Sequence, residues 1–197
     1  LLPIQNTMYA LLTVSISAFL MTLWAKPDDN GDMVLPEVIR FAIPSAFLIG
    51  VFGIAIYLVF YFGTGTFINI DYHAMAESAG IPYIDLVRSL DLAGQNATIG
   101  MFENDIREIN ARNAMLFFVM LAGISELLLV QPIHRFLSVD GMVTRDVKPT
   151  LLVGLLLLLF SCVYFVPETR FFVIRVISTA VFPLEYYIPI IGLVLIW

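Results

Sequence analysis

Long apolar runs separated by short polar segments dominate the hydrophobic pattern of this chain. A helix needs about 20 apolar residues to cross a bilayer, within a range of about 17–25. Five runs meet this requirement, and they lie at about 7–24, 41–62, 114–130, 150–166 and 178–197. The pattern therefore predicts an all-α fold, a polytopic transmembrane helix bundle of about five spans.

The ends of these runs carry residues that begin or end helices. Lys26-Pro27 follows the first run, Gly63 ends the second and Pro149 opens the fourth. Proline suits the first turn of a helix, where its missing N–H costs nothing. Aromatic residues also gather near the ends of the runs, as they do in the interfacial belts of membrane proteins. Both signals support the boundaries given above.

The longest connection, at about 64–113, carries more of the acidic charge than any other segment between the runs. Two of its segments, 78–92 and 101–115, have apolar residues at helical spacing, and we predict short amphipathic helices on the membrane surface there. The short loops 25–40 and 131–149 hold an excess of Lys and Arg, which favours the cytoplasmic side for them. The long loop is then expected to be extracytoplasmic.

Composition agrees with a membrane protein. The chain is 60% hydrophobic and 13% charged, with a mean hydropathy of +0.92, whereas soluble domains carry roughly 25% charged residues. We therefore expect a multi-pass protein of the cell membrane, with the lipid bilayer as a partner. The net charge of −6 offers no basic patch for nucleic acid. The single cysteine, Cys162, excludes an internal disulfide.

Glu126 is the one carboxylate that lies clearly inside a predicted span. Charged residues are costly in a membrane, so each of them is a functional hypothesis. With its neighbour Ser125, this carboxylate can bind a cation, carry a proton or pair with another helix. The alternative is that Glu126 reaches the interface near Gln131 and is merely solvated.

The first run is the most polar, and its polar residues share one side of a helix. Asn6, Tyr9, Thr13 and Ser17 follow each other at helical spacing. Hydroxyl and carbonyl oxygens can coordinate a hard cation. The alternative is helix packing, because small hydroxyl residues hold membrane helices together. Thr13 and Ser17 are therefore, with Glu126, the candidate residues of a cation pathway.

No arrangement of residues in the sequence indicates a catalytic site. There is no glycine-rich phosphate loop, and His73 and His134 stand in different loops without the spacing of metal ligands. The identity of a bound metal cannot be derived from these residues.

The order of short motifs along the chain carries a family resemblance. Leu2-Pro3-Ile4-Gln5 is followed by Leu12-Thr13-Val14-Ser15-Ile16-Ser17-Ala18-Phe19. This resembles the sixth transmembrane helix of P-type cation-transporting ATPases, where Pro-x-Gln leads into Leu-Thr-x-Gly-x-Pro-Ala-Phe in many members. Arg40–Pro44 resembles the start of the seventh helix. Asn113–Val130 resembles the eighth helix, Lys148–Pro167 the ninth and the last run the tenth. The resemblance covers nearly the whole chain and is closest to a bacterial branch of calcium-type pumps.

Two departures from the family pattern lie in the first run. The family's Gly and Pro, where that helix is unwound near the cation site, are Ser15 and Ser17 here. The aspartate that calcium pumps carry just after the Thr is Val14. The resemblance carries over Thr13, at the family's Thr, and it places Glu126 like the acidic residue of the eighth helix of calcium pumps.

The resemblance implies that this chain is the C-terminal membrane part of an ATP-driven cation pump. Such a pump hydrolyses ATP through an aspartyl-phosphate, so Mg²⁺ and ATP are expected for the full-length protein and no cofactor for this fragment. The expected partners are the transported cation, calcium or another divalent ion, and the missing N-terminal part of the same chain. The alternatives are a freestanding secondary transporter or channel subunit and a structural membrane subunit.

Overall fold

The computed structural model of the chain describes residues 3–15, 34–90, 96–130, 148–166, 169, 174 and 179–196. Within these residues the regular secondary structure is helical, and no strand occurs beyond one isolated backbone bridge between Thr64 and Ile68. The predicted all-α fold is therefore confirmed for the part of the chain that the structure describes.

Seven α-helices and one π-helical segment follow each other in this part of the chain. Helix α1 (Pro3–Tyr9) runs directly into the π-helical segment Ala10–Ser15, and the others are α2 (Val34–Gly63), α3 (Tyr72–Ser78), α4 (Tyr83–Leu90), α5 (Ile99–Val130), α6 (Lys148–Phe165) and α7 (Leu184–Ile196). The second half of the first predicted span, residues 16–24, lies outside the described residues.

Helix α5 is the centre of the bundle. Helix α2 packs along it, and α6, α7 and the π-helical segment contact it as well. Most α5 side chains between Ile109 and Ile124 are buried, and Leu116, Phe117 and Phe118 are at most 1% exposed. A helix that is buried nearly all round belongs in the core of a structure rather than at its surface. Helices α2, α3, α4, α6 and α7 share one hydrophobic core with α5.

Three of the outer helices expose large apolar side chains. On α2 these side chains form a stripe at helical spacing, consisting of Ile43, Phe47, Val51, Ile54, Leu58 and Phe62. Residues Ile43–Gly63 are long and apolar enough to cross a membrane, and only 22% of the most apolar part is buried. Among the described helices, α2 alone meets this criterion, while α6 and α7 contain shorter apolar stretches, Thr150–Cys162 and Leu184–Leu195. Exposed apolar surface of this extent indicates contact with lipid or with another protein.

The helices in the predicted long loop begin and end at other residues than the sequence predicted. The predicted surface helix at 101–115 and the predicted span at 114–130 are one continuous helix, α5. No Gly or Pro occurs between Met101 and Ala122, so nothing in the backbone ends one helix before the next begins. The predicted helix at 78–92 begins later, at Tyr83, after Gly80 (φ 65°) has ended α3.

Residues 64–90, which we call the cap, fold over the first turns of α5. Asp71 begins α3 by accepting hydrogen bonds from the backbone N–H groups of His73 and Ala74, both at 3.0 Å. The Tyr72 ring packs edge-on against Phe102 of α5, with 5.0 Å between the ring centroids. Because Leu86, Val87 and Leu90 of α4 are fully buried, the cap is part of the core and not a loosely attached loop.

Candidate functional site

The half-buried carboxylate of Glu126 in α5 is hydrogen-bonded to a second helix. Ser45 Oγ of α2 donates to Glu126 Oε1 at 2.7 Å, and Ser45 is only 6% exposed. Ser125 does not share this site, because its hydroxyl donates to the Leu121 carbonyl of its own helix at 2.8 Å. Hydrogen bonds to an ionised carboxylate are short and strong. The structure therefore joins Glu126 to α2 through a serine that the sequence did not single out.

Thr13 lies in the π-helical segment Ala10–Ser15, and Ser17 lies outside the described residues. A π-helix pairs each carbonyl with the N–H five residues on, and single π-helical turns occur frequently at functional sites. The wider turn ends the α-helical spacing that had placed Asn6, Tyr9 and Thr13 on one stripe. The predicted stripe is therefore interrupted after Tyr9, because Thr13 lies in the π-helical segment that begins at Ala10.

Gln5 of α1 and Asn113 of α5 form a buried polar pair next to this segment of the chain. Gln5 Nε2 donates to Asn113 Oδ1 at 3.2 Å, and the two side chains are 0% and 1% exposed. Within the described residues Asn113 Nδ2 has no hydrogen-bond partner. An unpaired buried amide costs about 1–3 kcal/mol. Asn113 therefore holds α1 against α5, and its Nδ2 group stays unpaired among the residues that the structure describes.

A second buried polar network joins the cap to the ends of α2 and α5. Tyr72 OH donates to Asn110 Oδ1, and Asn110 Nδ2 donates to Thr64 Oγ1 at 3.1 Å. The Thr64 hydroxyl in turn donates to the Phe60 carbonyl at 2.7 Å. Every residue of this hydrogen-bond network is buried. A fully satisfied buried network makes a structure specific and rigid.

Two further contacts attach the cap. The buried guanidinium of Arg112 donates through Nη2 to the Leu90 carbonyl at the end of α4, where a cation also suits the negative end of the helix dipole. On another side, the Tyr186 hydroxyl of α7 accepts from the Asn69 backbone N–H at 3.2 Å. The cap is thus tied to α2, α5 and α7.

Burial raises the pKa of the Tyr72 phenol well above its usual value of 10.0, although the nearby Arg112 cation lowers it. Above about pH 10 the unfolded chain therefore loses this proton while the folded chain keeps it, so folding stability falls as pH rises. One such group changes the free energy of unfolding by about 1.4 kcal/mol per pH unit.

We expect Tyr72→Phe to reduce the alkaline slope of the unfolding free energy by about 1.4 kcal/mol per pH unit. Denaturant unfolding above about pH 11, where the phenol of the unfolded chain has lost its proton, measures it, and an unchanged slope would mean that Tyr72 ionises in the folded protein.

The described residues contain no group of three or more His, Cys, Asp or Glu side chains that could hold a metal ion. His73 stacks on Tyr83, with 3.8 Å between the ring centroids, and His134 lies outside the described residues. Cys162 is a free, exposed cysteine on α6.

Sequence reasoning missed Ser45, Gln5, Asn110 and Asn113. Ser45 is a lone polar residue in an apolar run, and that is the signal that could have identified it. The other three stand within two positions of further polar residues and give no such signal. Polar residues buried in a bundle need partners, so a lone one predicts a contact with another helix.

The chain gives no significant match to a protein family model, to a curated protein sequence or to a solved structure.

Proposed function

We propose that this chain is part of the membrane domain of an ATP-driven, cation-translocating pump of the P-type, a multi-pass protein of the cell membrane. The observation that carries the proposal is the Glu126 carboxylate, which accepts a hydrogen bond from Ser45 between helices α5 and α2. An ionisable group in such a place marks an ion or proton pathway by default.

The backbone geometry of the first helix supports the same proposal. Pumps of the family that the sequence resembles unwind the corresponding helix near the cation site. Here the α-helical geometry changes to π-helical geometry at Ala10–Ser15, around Thr13. A change from α to π hydrogen bonding leaves a backbone carbonyl without its usual partner, and carbonyl oxygens are ligands of hard cations.

The exposed apolar surface supports placement in a membrane. Large apolar side chains are exposed on α2, α6 and α7, for example Phe47 (69%), Leu151 (70%) and Leu195 (82%). These helices surround α5, so lipid would cover their outer faces while α5 stays buried. With tilting or an adjoining segment, α6 and α7 would then cross the membrane beside α2.

In this proposal the residues of the chain hold and release the cation, and they do not hydrolyse ATP. Glu126 supplies the negative charge, Ser45 orients one of its oxygens, and Thr13 lies where the backbone can offer carbonyls. ATP hydrolysis and Mg²⁺ binding are assigned to parts of the pump other than these 197 residues.

The test is ATP-driven uptake of Ca²⁺, Mg²⁺ and Mn²⁺ into vesicles that contain the full-length pump, in which these 197 residues are one part. Glu126→Gln removes the charge at nearly constant shape, and we expect the cation concentration for half-maximal uptake to rise about tenfold, a difference of about 1.4 kcal/mol. Ser45→Ala is expected to have a smaller effect in the same direction. Glu185→Gln is the matched control, because Glu185 is an exposed carboxylate in the first turn of α7.

Two outcomes would reject the proposal. If none of the three cations is taken up, the chain does not belong to a pump of this kind, and a structural membrane subunit becomes the better assignment. If uptake persists without ATP and Glu126→Gln still weakens it, the chain belongs to a secondary transporter or a channel.

A further inference from the structure

A cavity of about 300 Å³ lies where the cap meets the end of α2 and the first half of α5. Its lining includes Thr64, Gly65, Asn69, Asp71 and Asn110. Ile68, Ile70 and Ile106 complete the lining, so the cavity places polar groups beside apolar side chains just after the end of α2. Neither Glu126 nor the π-helical segment contributes to its lining.

Two oppositely charged side chains, Arg107 and Asp71, lie at this cavity. A side chain at Gly65 would begin 3.9 Å from Arg107 Nη2, so this guanidinium borders the turn that lines the cavity. Arg107 is exposed and forms no ion pair with any other described residue. Asp71 is itself a lining residue. Its Oδ1 caps α3, whereas Oδ2 has no hydrogen bond within the described part of the chain.

The cavity lies at the end of the exposed apolar stripe of α2. Phe62 in the last turn of α2 and Phe67 in the following turn are 68% and 67% exposed. The Phe67 ring lies over Gly63, where an added Cβ would come within 2.5 Å of Cζ. These two rings extend the exposed apolar surface of α2 to the cavity.

We propose that this cavity binds the headgroup of a phospholipid that carries a primary amine, such as phosphatidylethanolamine. Arg107 binds the phosphate and Asp71 binds the ammonium group, while the acyl chains follow the exposed stripe of α2. The proposal rests on the membrane placement proposed above, but it does not depend on the transport of a cation.

The charges favour an amine over the other common headgroups. An ammonium group has three N–H donors for a carboxylate, whereas the trimethylated nitrogen of a choline headgroup has none. A purely anionic headgroup would meet the negative charge of Asp71 without compensation. The surroundings are acidic as well, because the cap and the first turns of α5 carry Asp71, Glu77, Asp85, Glu103 and Asp105 against Arg88 and Arg107.

The experiment is native mass spectrometry of the purified full chain in detergent, with equal amounts of phosphatidylethanolamine, phosphatidylcholine and phosphatidylglycerol added. We expect about threefold higher retention of phosphatidylethanolamine than of the other two lipids, the size expected for one exposed ion pair. Asp71→Asn should remove this preference without loss of folding, because asparagine caps a helix as well as aspartate does.

Arg107→Gln should lower the retention of all three lipids about fivefold, which is the effect expected of one basic side chain at a membrane surface, and Arg107→Lys should restore most of it. Arg88→Gln, at an exposed arginine of α4, is the matched control and should leave retention unchanged. Circular dichroism of each variant establishes that the helices are intact.

Equal retention of the three lipids by the wild-type chain would overturn the proposal, and so would a preference that survives Asp71→Asn. Competition by free phosphoethanolamine at the same concentration as the lipid would also overturn it, since the site would then bind a soluble molecule. A chain that takes up cations but shows no lipid preference counts against this site alone. A chain with the lipid preference and no uptake counts against the pump alone.

Discussion

Phe117→Ala is expected to lower the free energy of unfolding by about 3–5 kcal/mol, the range for removing a fully buried phenylalanine. Phe117 is 1% exposed and stands at the centre of an aromatic cluster. Its ring centroid lies 4.3 Å from that of Tyr187, 5.1 Å from that of Phe160 and 5.3 Å from that of Tyr164. The side chain therefore joins α5 to α6 and α7, and truncation leaves a cavity that three rigid rings cannot fill.

The measurement is denaturant unfolding of the chain in detergent micelles, followed by circular dichroism. Phe47→Ala is the matched control, because Phe47 is 69% exposed on α2 and its ring has little protein contact to lose. We expect that variant to stay within about 0.5 kcal/mol of the wild type. If the two variants lost equal stability, the aromatic cluster would not be what joins the three helices.

Asn110→Leu is expected to cost about 3 kcal/mol, because it leaves two buried partners without their hydrogen bonds. The Tyr72 hydroxyl loses its acceptor and Thr64 Oγ1 loses a donor, and each unsatisfied buried group costs about 1–3 kcal/mol. Leucine has a similar size, so a lost volume does not explain the expected effect. The loss should appear first in the cap, which this network joins to α2 and α5.

Hydrogen exchange of the cap amides, measured together with global unfolding, distinguishes local opening of the cap from unfolding of the whole protein. Asn104→Leu is the control, since Asn104 is an exposed asparagine of the same helix and its replacement should leave both measurements nearly unchanged. Exchange in α3 and α4 that is as slow in Asn110→Leu as in the wild type would show that the network does not hold the cap.

The sequence predicted where apolar helices occur but not which of them is central. Periodicity and run length depend on neighbouring residues, so the helices at 34–63, 148–165 and 184–196 were found with shifts of their ends. Hydropathy gives the same signal for a side chain that faces lipid and for one that faces protein. The burial of α5 between Ile109 and Ile124 follows from the packing of α2, α6 and α7 around it, which no local pattern contains.

The polar contacts of the site were beyond sequence reasoning for a related reason. Ser45 and Glu126 are 81 residues apart, and Gln5 and Asn113 are 108 apart. A lone polar residue in an apolar run indicates that a partner exists, but the chain path decides which one. Glu126 was found because a carboxylate in a span is rare, whereas Ser45 was missed because serine is common in membrane helices.

The π-helical segment was also not readable from local composition. Residues 10–15 contain no Gly or Pro, and neither the spacing of the apolar positions nor the helix propensities distinguish five-residue from four-residue hydrogen bonding. Single π-helical turns arise inside α-helices, often at functional sites, and they are recognised only from the backbone.

Cys162 gives the chain a built-in reporter of its surroundings. It is the only cysteine of the sequence, and its side chain is exposed on α6 between the buried rings of Phe160 and Tyr164. A thiol-reactive spin label or fluorophore therefore attaches at one known position without any prior replacement of other cysteines. The accessibility of that label to oxygen and to a water-soluble quencher tests whether α6 lies in a bilayer, as proposed above, without any change to the natural sequence.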